Sequence, residues 1–317
     1  MIKALHYLKL LLKTFVVCTL RKLRPGIGQL GTYSPKQLSS HTLQPINLLH
    51  GQDLLPRISI VVPSFNQGRF IGATLYSIIN QQYPNLELIV IDGGSTDNTL
   101  EVIKQYQARI NWWVSELDSG QTAAINKGFM RSTGEIMAWI NSDDIVAPGA
   151  LHFIANYFIK HPETQVVYGN RILINEENLE IGRWILPYHS DKVLKFSDFI
   201  PQETLYWTRA AWNLVGGRLD ETFQFAMDWD FLLRLTKKHV IIRHLPVFIG
   251  LFRIHPQQKT SSQLSSVGQQ EIQSLRHSEL GFQPSRWQLI LNILPFLLSA
   301  KCHELSLKLR QNRNIKI

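Results

Sequence analysis

Four short apolar runs, each separated from the next by a stretch with helical period, constrain this chain more than any other feature. They are Ile58-Ser-Ile-Val-Val62, Leu86-Glu-Leu-Ile-Val-Ile91, Trp112-Trp-Val114 and Ile136-Met-Ala-Trp-Ile140. Runs of this length read as strands buried on both faces. Between them, Phe70–Gln82, Asn98–Gln107 and Gln121–Arg131 carry helical patterns. Such alternation predicts an α/β, Rossmann-like fold, a mostly parallel sheet with helices on both faces, because parallel neighbours need crossover helices. Further on, a helix over about 148–160, a strand over Gln165–Tyr168, less regular segments through Phe199, and helices near Arg209–Val215 and over Trp229–Lys237 make the second half mixed.

At 317 residues and 44% hydrophobic content the chain can build a sizeable core. Its formal charge of +9 is spread out rather than gathered into a stripe, so no nucleic-acid partner is expected. The first 25 residues, with Lys3, Lys9, Lys13, Arg21, Lys22 and Arg24, and the tail after Arg286 are basic and acid-poor. Those ends suit an anionic membrane. The apolar run Ala4–Leu20 is broken by His6, Lys9 and Lys13, and reads as an interfacial helix rather than a span. The apolar segment Trp287–Leu298, which contains Pro295, reads as a monotopic or a core helix. With only Cys18 and Cys302, no disulfide framework or cysteine metal site is indicated, which fits a reducing cytoplasm. The expected divisions are a basic, apolar segment and linker over 1–56, in which residues from 26 onward show no sustained period, a folded domain over 57–262, and a helical, membrane-associated segment over 263–317.

Polar residues cluster where the apolar runs end: Pro63-Ser-Phe-Asn-Gln-Gly68, Asp92-Gly-Gly-Ser-Thr-Asp97, Glu116-Leu-Asp-Ser-Gly120 and Asn141-Ser-Asp-Asp144. Ligands of open parallel sheets bind outside the carboxyl ends of the strands, so four such loops define a site. Asp92 precedes two glycines and is expected to turn its carboxylate into the crevice, whereas Ser95 and Asp97 suit a helix cap. Adjacent Asp143 and Asp144 repel each other unless a cation or donor lies between them, and hard oxygen ligands suit Mg²⁺ or Mn²⁺ bridging a diphosphate.

Val62-Pro-Ser-Phe-Asn66, Asp92-Gly-Gly-Ser-Thr-Asp97, Asp118-Ser-Gly-Gln121 with Ala124-Ile-Asn-Lys-Gly128, and Asn141-Ser-Asp-Asp144 resemble, in order and spacing, the family 2 glycosyltransferases of GT-A fold. The resemblance covers roughly residues 57 to 262. It implies inverting transfer from a nucleotide-diphosphate sugar donor to a hydroxyl on a glycan or lipid-linked acceptor, at the cytoplasmic membrane face. It assigns Pro63, Ser64, Phe65, Asn66, Asp92, Gly93, Asp118, Gln121, Asn126, Asn141 and Ser142 to the donor. It assigns Asp143 to the metal, with Asp144 and His255, of Phe252-Arg-Ile-His255, as further candidates. Asn141 stands where the family has the first acid of Asp-x-Asp. In Ala226-Met-Asp-Trp-Asp230, Met227-Asp228 replaces the family's Glu-Asp, which makes Asp228 the expected base; Gln202 and Trp229 are acceptor candidates. A sugar nucleotidyltransferase would be expected to carry a glycine-rich phosphate loop, for which Asn66-Gln-Gly-Arg69 is too poor in glycine. A non-catalytic sugar-binding protein is the other alternative, and joint retention of Asp92, Asp143 and Asp228 argues against it.

Overall fold

Side chains of a strand buried on both faces cannot be satisfied by one layer, and here two layers cover the sheet. The computed structural model describes residues 32–38, 55–259 and 267–314, the last fourteen of these as backbone only. Its strands are β1 (Thr32–Lys36), β2 (Ile58–Ser64), β3 (Leu86–Asp92), β4 (Trp112–Ser115), β5 (Ile136–Trp139), β6 (Ile145–Val146), β7 (Val166–Ile174), β8 (Glu180–Trp184), β9 (Tyr206–Thr208) and β10 (Ile242–Arg253). The helices are α1 (Ile71–Ile79), α2 (Thr99–Tyr106), α3 (Gln121–Arg131), α4 (Ala150–Lys160), α5 (Asp191–Leu194), α6 (Arg209–Leu214), α7 (Met227–Lys237), α8 (Gln269–Leu280) and α9 (Arg286–Asn314).

The sheet runs β4-β3-β2-β5-β9-β7-β8-β1, with β10 beside β7 and β6. Its first four strands are parallel. Beyond β5 the pairings with β9, β7, β8 and β1 turn antiparallel, while β10 runs parallel to β7. Register places Ser64 opposite Asp92 and Asp92 opposite Ser115, a polar row at the carboxyl ends. The period of two sends Val61, Ile89, Ile91, Met137 and Trp139 to one face with Ile125 and Phe129 of α3, and Ile58, Ile60, Val62, Leu88 and Val90 to the other with Ile71, Leu75 and Ile78 of α1. Each such fully buried aliphatic chain contributes roughly 1.5–3 kcal/mol.

Helix α3 approaches β2 through Gly128, where an added Cβ would lie 2.5 Å from Val61 Cγ1. A mid-helix glycine costs about 1 kcal/mol relative to alanine, so alanine would be preferred here if space allowed. Gly128→Ala is nevertheless expected to destabilise by about 1–3 kcal/mol, because the methyl group must push two well-packed elements apart. A lowered urea midpoint checks this; a raised one would show that the approach is not limiting.

Two expectations change. The linker reading of 26–57 gives way at Thr32–Lys36 to an edge strand on β8, with Thr32 opposite Gly182 and Lys36 opposite Glu180. All five residues are exposed, so no alternation marked it, and Pro35 is tolerated at an edge. The strand expected over Gln165–Tyr168 continues as β7 to Ile174, and the less regular stretch after it contains all of β8. The proposed interfacial helix over 4–20, with Cys18, lies outside the described residues, as does the Cys302 side chain. Helix α9 continues through Pro295. No described helix is long and apolar enough to cross a membrane.

Candidate functional site

The strand-end loops open into a cleft of about 1150 Å³. Pro63, Ser64, Phe65, Gly93, Asp118, Gln121, Asn141, Ser142, Asp143, Gln202 and Asp228, all expected from the sequence, line it. A smaller hollow of about 480 Å³ near Tyr83, Leu86 and Asn111 has no carboxylate in its lining.

On the first wall, Asn66 adopts a left-handed φ of 52°, which a short polar side chain tolerates. Its N–H donates to Ser95 Oγ at 2.7 Å and its Oδ1 accepts from Thr96 N–H at 2.8 Å. Asn66 therefore stitches two loops together and is not among the lining residues. Asp92 likewise differs from expectation. It is fully buried, and its Oδ2 accepts from Gly94 N–H, Ser95 N–H and Ser115 Oγ at 3.1, 2.9 and 2.6 Å. Its Oδ1 accepts from Ser95 Oγ at 2.5 Å. These donors saturate the carboxylate, so Asp92 shapes the loop while Gly93 and Asp118 face the cleft. A Cβ on Gly93 would lie 2.8 Å from Asp118 Oδ2, so only glycine lets that carboxylate sit there.

The second wall is the Asn141–Asp144 turn, closed by Asp144 N–H donating to Asn141 O at 3.0 Å. Asn141 Oδ1 accepts from Gln121 Nε2 at 2.7 Å, and Gln121 Oε1 from Lys259 Nζ at 2.9 Å. Asp143 Oδ2 lies 2.9 Å from His255 Nε2. Asp144 is buried, and its Oδ1 accepts the Arg253 N–H at 3.0 Å. Burial first, then the charges of Asp143 and Glu203, push its carboxyl well above the usual range. Asp144 thus anchors β10 to the turn through one oxygen while also lining the cleft. Arg253 completes the clamp: Nε donates to Asp143 O at 2.8 Å, Nη1 to Asn175 O at 2.9 Å, and Nη2 to Asn178 Oδ1 at 2.7 Å.

Among the described residues no group of three His, Cys, Asp or Glu side chains is placed to hold a metal ion by itself. The Asp143–His255 pair still fits a Mg²⁺- or Mn²⁺-diphosphate. The carboxylate oxygen and imidazole nitrogen, 2.9 Å apart, would supply two ligands, and such ions take their remaining ligands from substrate phosphates and water. His255 Nδ1 is buried without a protein partner.

The third wall carries carboxylates. Asp228, in the first turn of α7, accepts from the Trp229 N–H at 2.9 Å. Burial raises it to about 6, against the lowering influence of the Trp229 N–H, Lys259 and Arg171. Asp198 lines the same cleft, and burial together with the charge of Asp228 lifts it well above the usual range. The turn before α7 is fixed by Glu271, whose carboxylate accepts from the N–H groups of Gln224, Phe225 and Ala226 at 2.8, 2.9 and 2.8 Å. Trp229 is buried, its Nε1 donating to Leu194 O at 2.8 Å, so it positions α7 instead of presenting an indole to an acceptor. Asn126 is also structural: its Oδ1 accepts from Leu219 N–H at 2.8 Å and its Nδ2 donates to Leu219 O and Glu221 Oε1 at 3.0 and 2.9 Å. Gln202 Nε2 donates to Trp139 O at 2.8 Å, while its Oε1 has no protein partner.

Sequence reasoning missed Asp198, Lys259, Arg253, Glu271 and the buried Arg171–Glu203 pair. Only the last had a visible signal, an arginine inside the apolar run Val166-Val-Tyr-Gly-Asn-Arg-Ile-Leu-Ile174.

Residues 59–212 match the family model described as glycosyl transferase family 2. Chondroitin synthase of Escherichia coli is 30% identical over 194 residues, which are 59% of this chain and 28% of that protein. The PGL/p-HBAD biosynthesis glycosyltransferase of Mycobacterium bovis (strain BCG / Pasteur 1173P2) is 25% identical over 202 residues, 62% of this chain and 77% of that one. In fold, the chain resembles S. aureus TarS 1–349 in complex with UDP-GlcNAc (TM-score 0.59, 19% identity, 77% of this chain and 72% of that one). It also resembles the mannosyltransferase PcManGT from Pyrobaculum calidifontis in complex with GDP-Man and Mn²⁺ (TM-score 0.57, 16% identity, 81% and 72%). The fold is GT-A.

Proposed function

We propose, from the match of residues 59–212 to the glycosyl transferase family 2 model, that the protein is an inverting glycosyltransferase. It moves a sugar from a nucleotide-diphosphate sugar to an acceptor hydroxyl in glycan or glycolipid assembly at the cytoplasmic membrane face. The observation that carries this reading is one cleft with Asp143, backed by the buried His255, on one wall and Asp228, raised to about 6, on another. The UDP-GlcNAc and GDP-Man named with TarS and PcManGT support the donor class. The names of the chondroitin and mycobacterial relatives support a glycan or glycolipid product. Residues 57–262, with β1 added at the sheet edge, would form the catalytic unit.

In this reading Phe65 and Leu117, exposed and apolar at the cleft, offer a surface to a flat nucleobase, and Asp118 and the Gly93 backbone take the ribose. Asp143 and His255 would hold Mg²⁺ or Mn²⁺, which when bound supplies positive charge to the departing diphosphate. Lys259, tied to Gln121, adds a positive charge close enough to Asp228 to favour its ionised form. Asp228 takes the proton of the acceptor hydroxyl as that oxygen attacks the anomeric carbon from the face opposite the diphosphate. Arg253 and Glu271 act only by holding the turns that carry Asp143 and Asp228.

Thermal unfolding with a panel of UDP- and GDP-sugars, with and without Mn²⁺, tests the reading. A donor at about 100 times its dissociation constant should stabilise by about 2.7 kcal/mol. At least one nucleotide sugar is expected to raise Tm in a cation-dependent way. A panel without any shift would sink it.

A further inference from the structure

Helix α9 has two apolar faces with different fates. Ile293 and Phe296 are buried in the core, and the Phe296 ring lies 4.3 Å from that of Phe199. On the other side Trp287, Leu291 and Leu298 are 53%, 68% and 47% exposed. At 3.6 residues per turn these three fall within about 40° of one another around the helix axis, so they form one outward stripe. Exposed Phe282 lies just before the helix. A core helix would not leave this stripe in water, and no described helix can cross a bilayer. Residues 286–317 carry six Lys and Arg (Arg286, Lys301, Lys308, Arg310, Arg313 and Lys316) against one acid, Glu304.

A tryptophan at one end, leucines along the stripe and a basic sequence around it describe a helix lying in the interfacial plane of a membrane. We infer that the outward face of α9, through Trp287, Leu291 and Leu298, docks the protein on a bilayer containing anionic lipid. The positive segment complements the lipid charge, which favours that occupant over a second copy of this equally basic chain. This deepens the proposed function and rests on it in one respect: the helix that docks also packs, through Phe296, on the loop whose Ser197, Asp198, Phe199 and Ile200 line the cleft. Docking therefore holds the cleft wall beside the lipid interface, which suits an acceptor hydroxyl carried on a lipid headgroup.

The test is flotation of the full chain with phosphatidylcholine vesicles, with and without phosphatidylglycerol, beside the variant Trp287→Ser/Leu291→Ser/Leu298→Ser. These positions face solvent, so the variant is expected to keep the parent Tm and donor-induced shift. It should lose binding to the anionic vesicles by about tenfold or more, and the parent should bind neutral vesicles more weakly. Circular dichroism matching the parent confirms that the variant is folded. Failure of the parent to float, or equal flotation of the variant through some other segment such as the basic residues 1–24, overturns the inference. So does a parent dimer by light scattering that the variant abolishes, which would assign the stripe to a second copy. Donor binding is read separately: vesicle binding without donor binding defeats the enzymatic reading alone, and donor binding without vesicle binding defeats this inference alone.

Discussion

Asp228→Asn is expected to lower kcat for sugar transfer by about 10²–10⁴, the range that a positioned general base contributes, while leaving the donor-induced rise in Tm intact. The substitution keeps shape and removes only the ability to take a proton. The sign of the pH dependence follows from the same group. A base works ionised, and burial has raised this carboxyl to about 6, so the wild-type rate should fall as pH drops through 6 and hold above it. An amide does not titrate there, and the residual rate of the variant should lack that acid limb. Lys259 and Arg171 oppose the burial, and Asp198 shares the cleft, so the limb reports on a coupled set and not on one isolated carboxyl. Initial rates between pH 5 and 9 decide the matter. Full activity in the variant would move the base elsewhere, with Asp198 the next carboxylate in the cleft.

Glu203→Ala is expected to cost about 3–5 kcal/mol of folding stability, the usual penalty for breaking a buried ion pair from one side. Arg171 Nε donates to Glu203 Oε1 at 2.8 Å and Nη2 to Oε2 at 2.5 Å, with the side chains 10% and 1% exposed. The guanidinium also lies 4.4 Å from the Phe252 ring and 5.2 Å from that of Trp184. Without Glu203 it keeps that low-dielectric setting and loses its bidentate partner. Typical domains are stable by only 5–15 kcal/mol, so the variant should show a large fall in urea midpoint. Replacing both residues by apolar ones of similar volume should recover most of the loss, because the desolvation of two charges offsets much of their attraction. A single variant as stable as the parent would show that the pair is not buried as described.

The elements legible in the sequence were those whose pattern is local. Strands β2 to β5 and helices α1 to α4 followed from apolar period alone, and the loops of the cleft followed because each begins where an apolar run stops. Partner choice was not local. Asp92 has the right position for a ligand contact, but Ser95 and Ser115 consume its lone pairs, and Ser115 belongs to a different strand. Asn126 looks available until Leu219, 93 positions away, takes up its amide. Asp144 reads as the twin of Asp143 until β10 returns and donates the Arg253 N–H to it. Glu271 fixes the approach to α7 from more than forty residues downstream. Such roles depend on which distant backbone groups the fold brings near, and one-dimensional spacing carries no record of that.

The short edge strand β1 bears on how the protein behaves among copies of itself. A β-sheet ends safely only when its last row of N–H and C=O groups is covered or made unattractive to another strand. Here β8 is covered by a segment from earlier in its own chain. Tyr33 and Lys36 both reach Glu180, which is buried beneath them and also held by Arg183. The outermost strand left exposed is Thr-Tyr-Ser-Pro-Lys, polar and interrupted by a proline that cannot donate a ladder bond. Residues that contribute nothing to the cleft thus act as a stop that keeps this end of the sheet from being extended by a neighbour. A polypeptide that begins at Arg57 and keeps everything after it would retain the cleft, yet expose β8 as an adhesive edge prone to self-association.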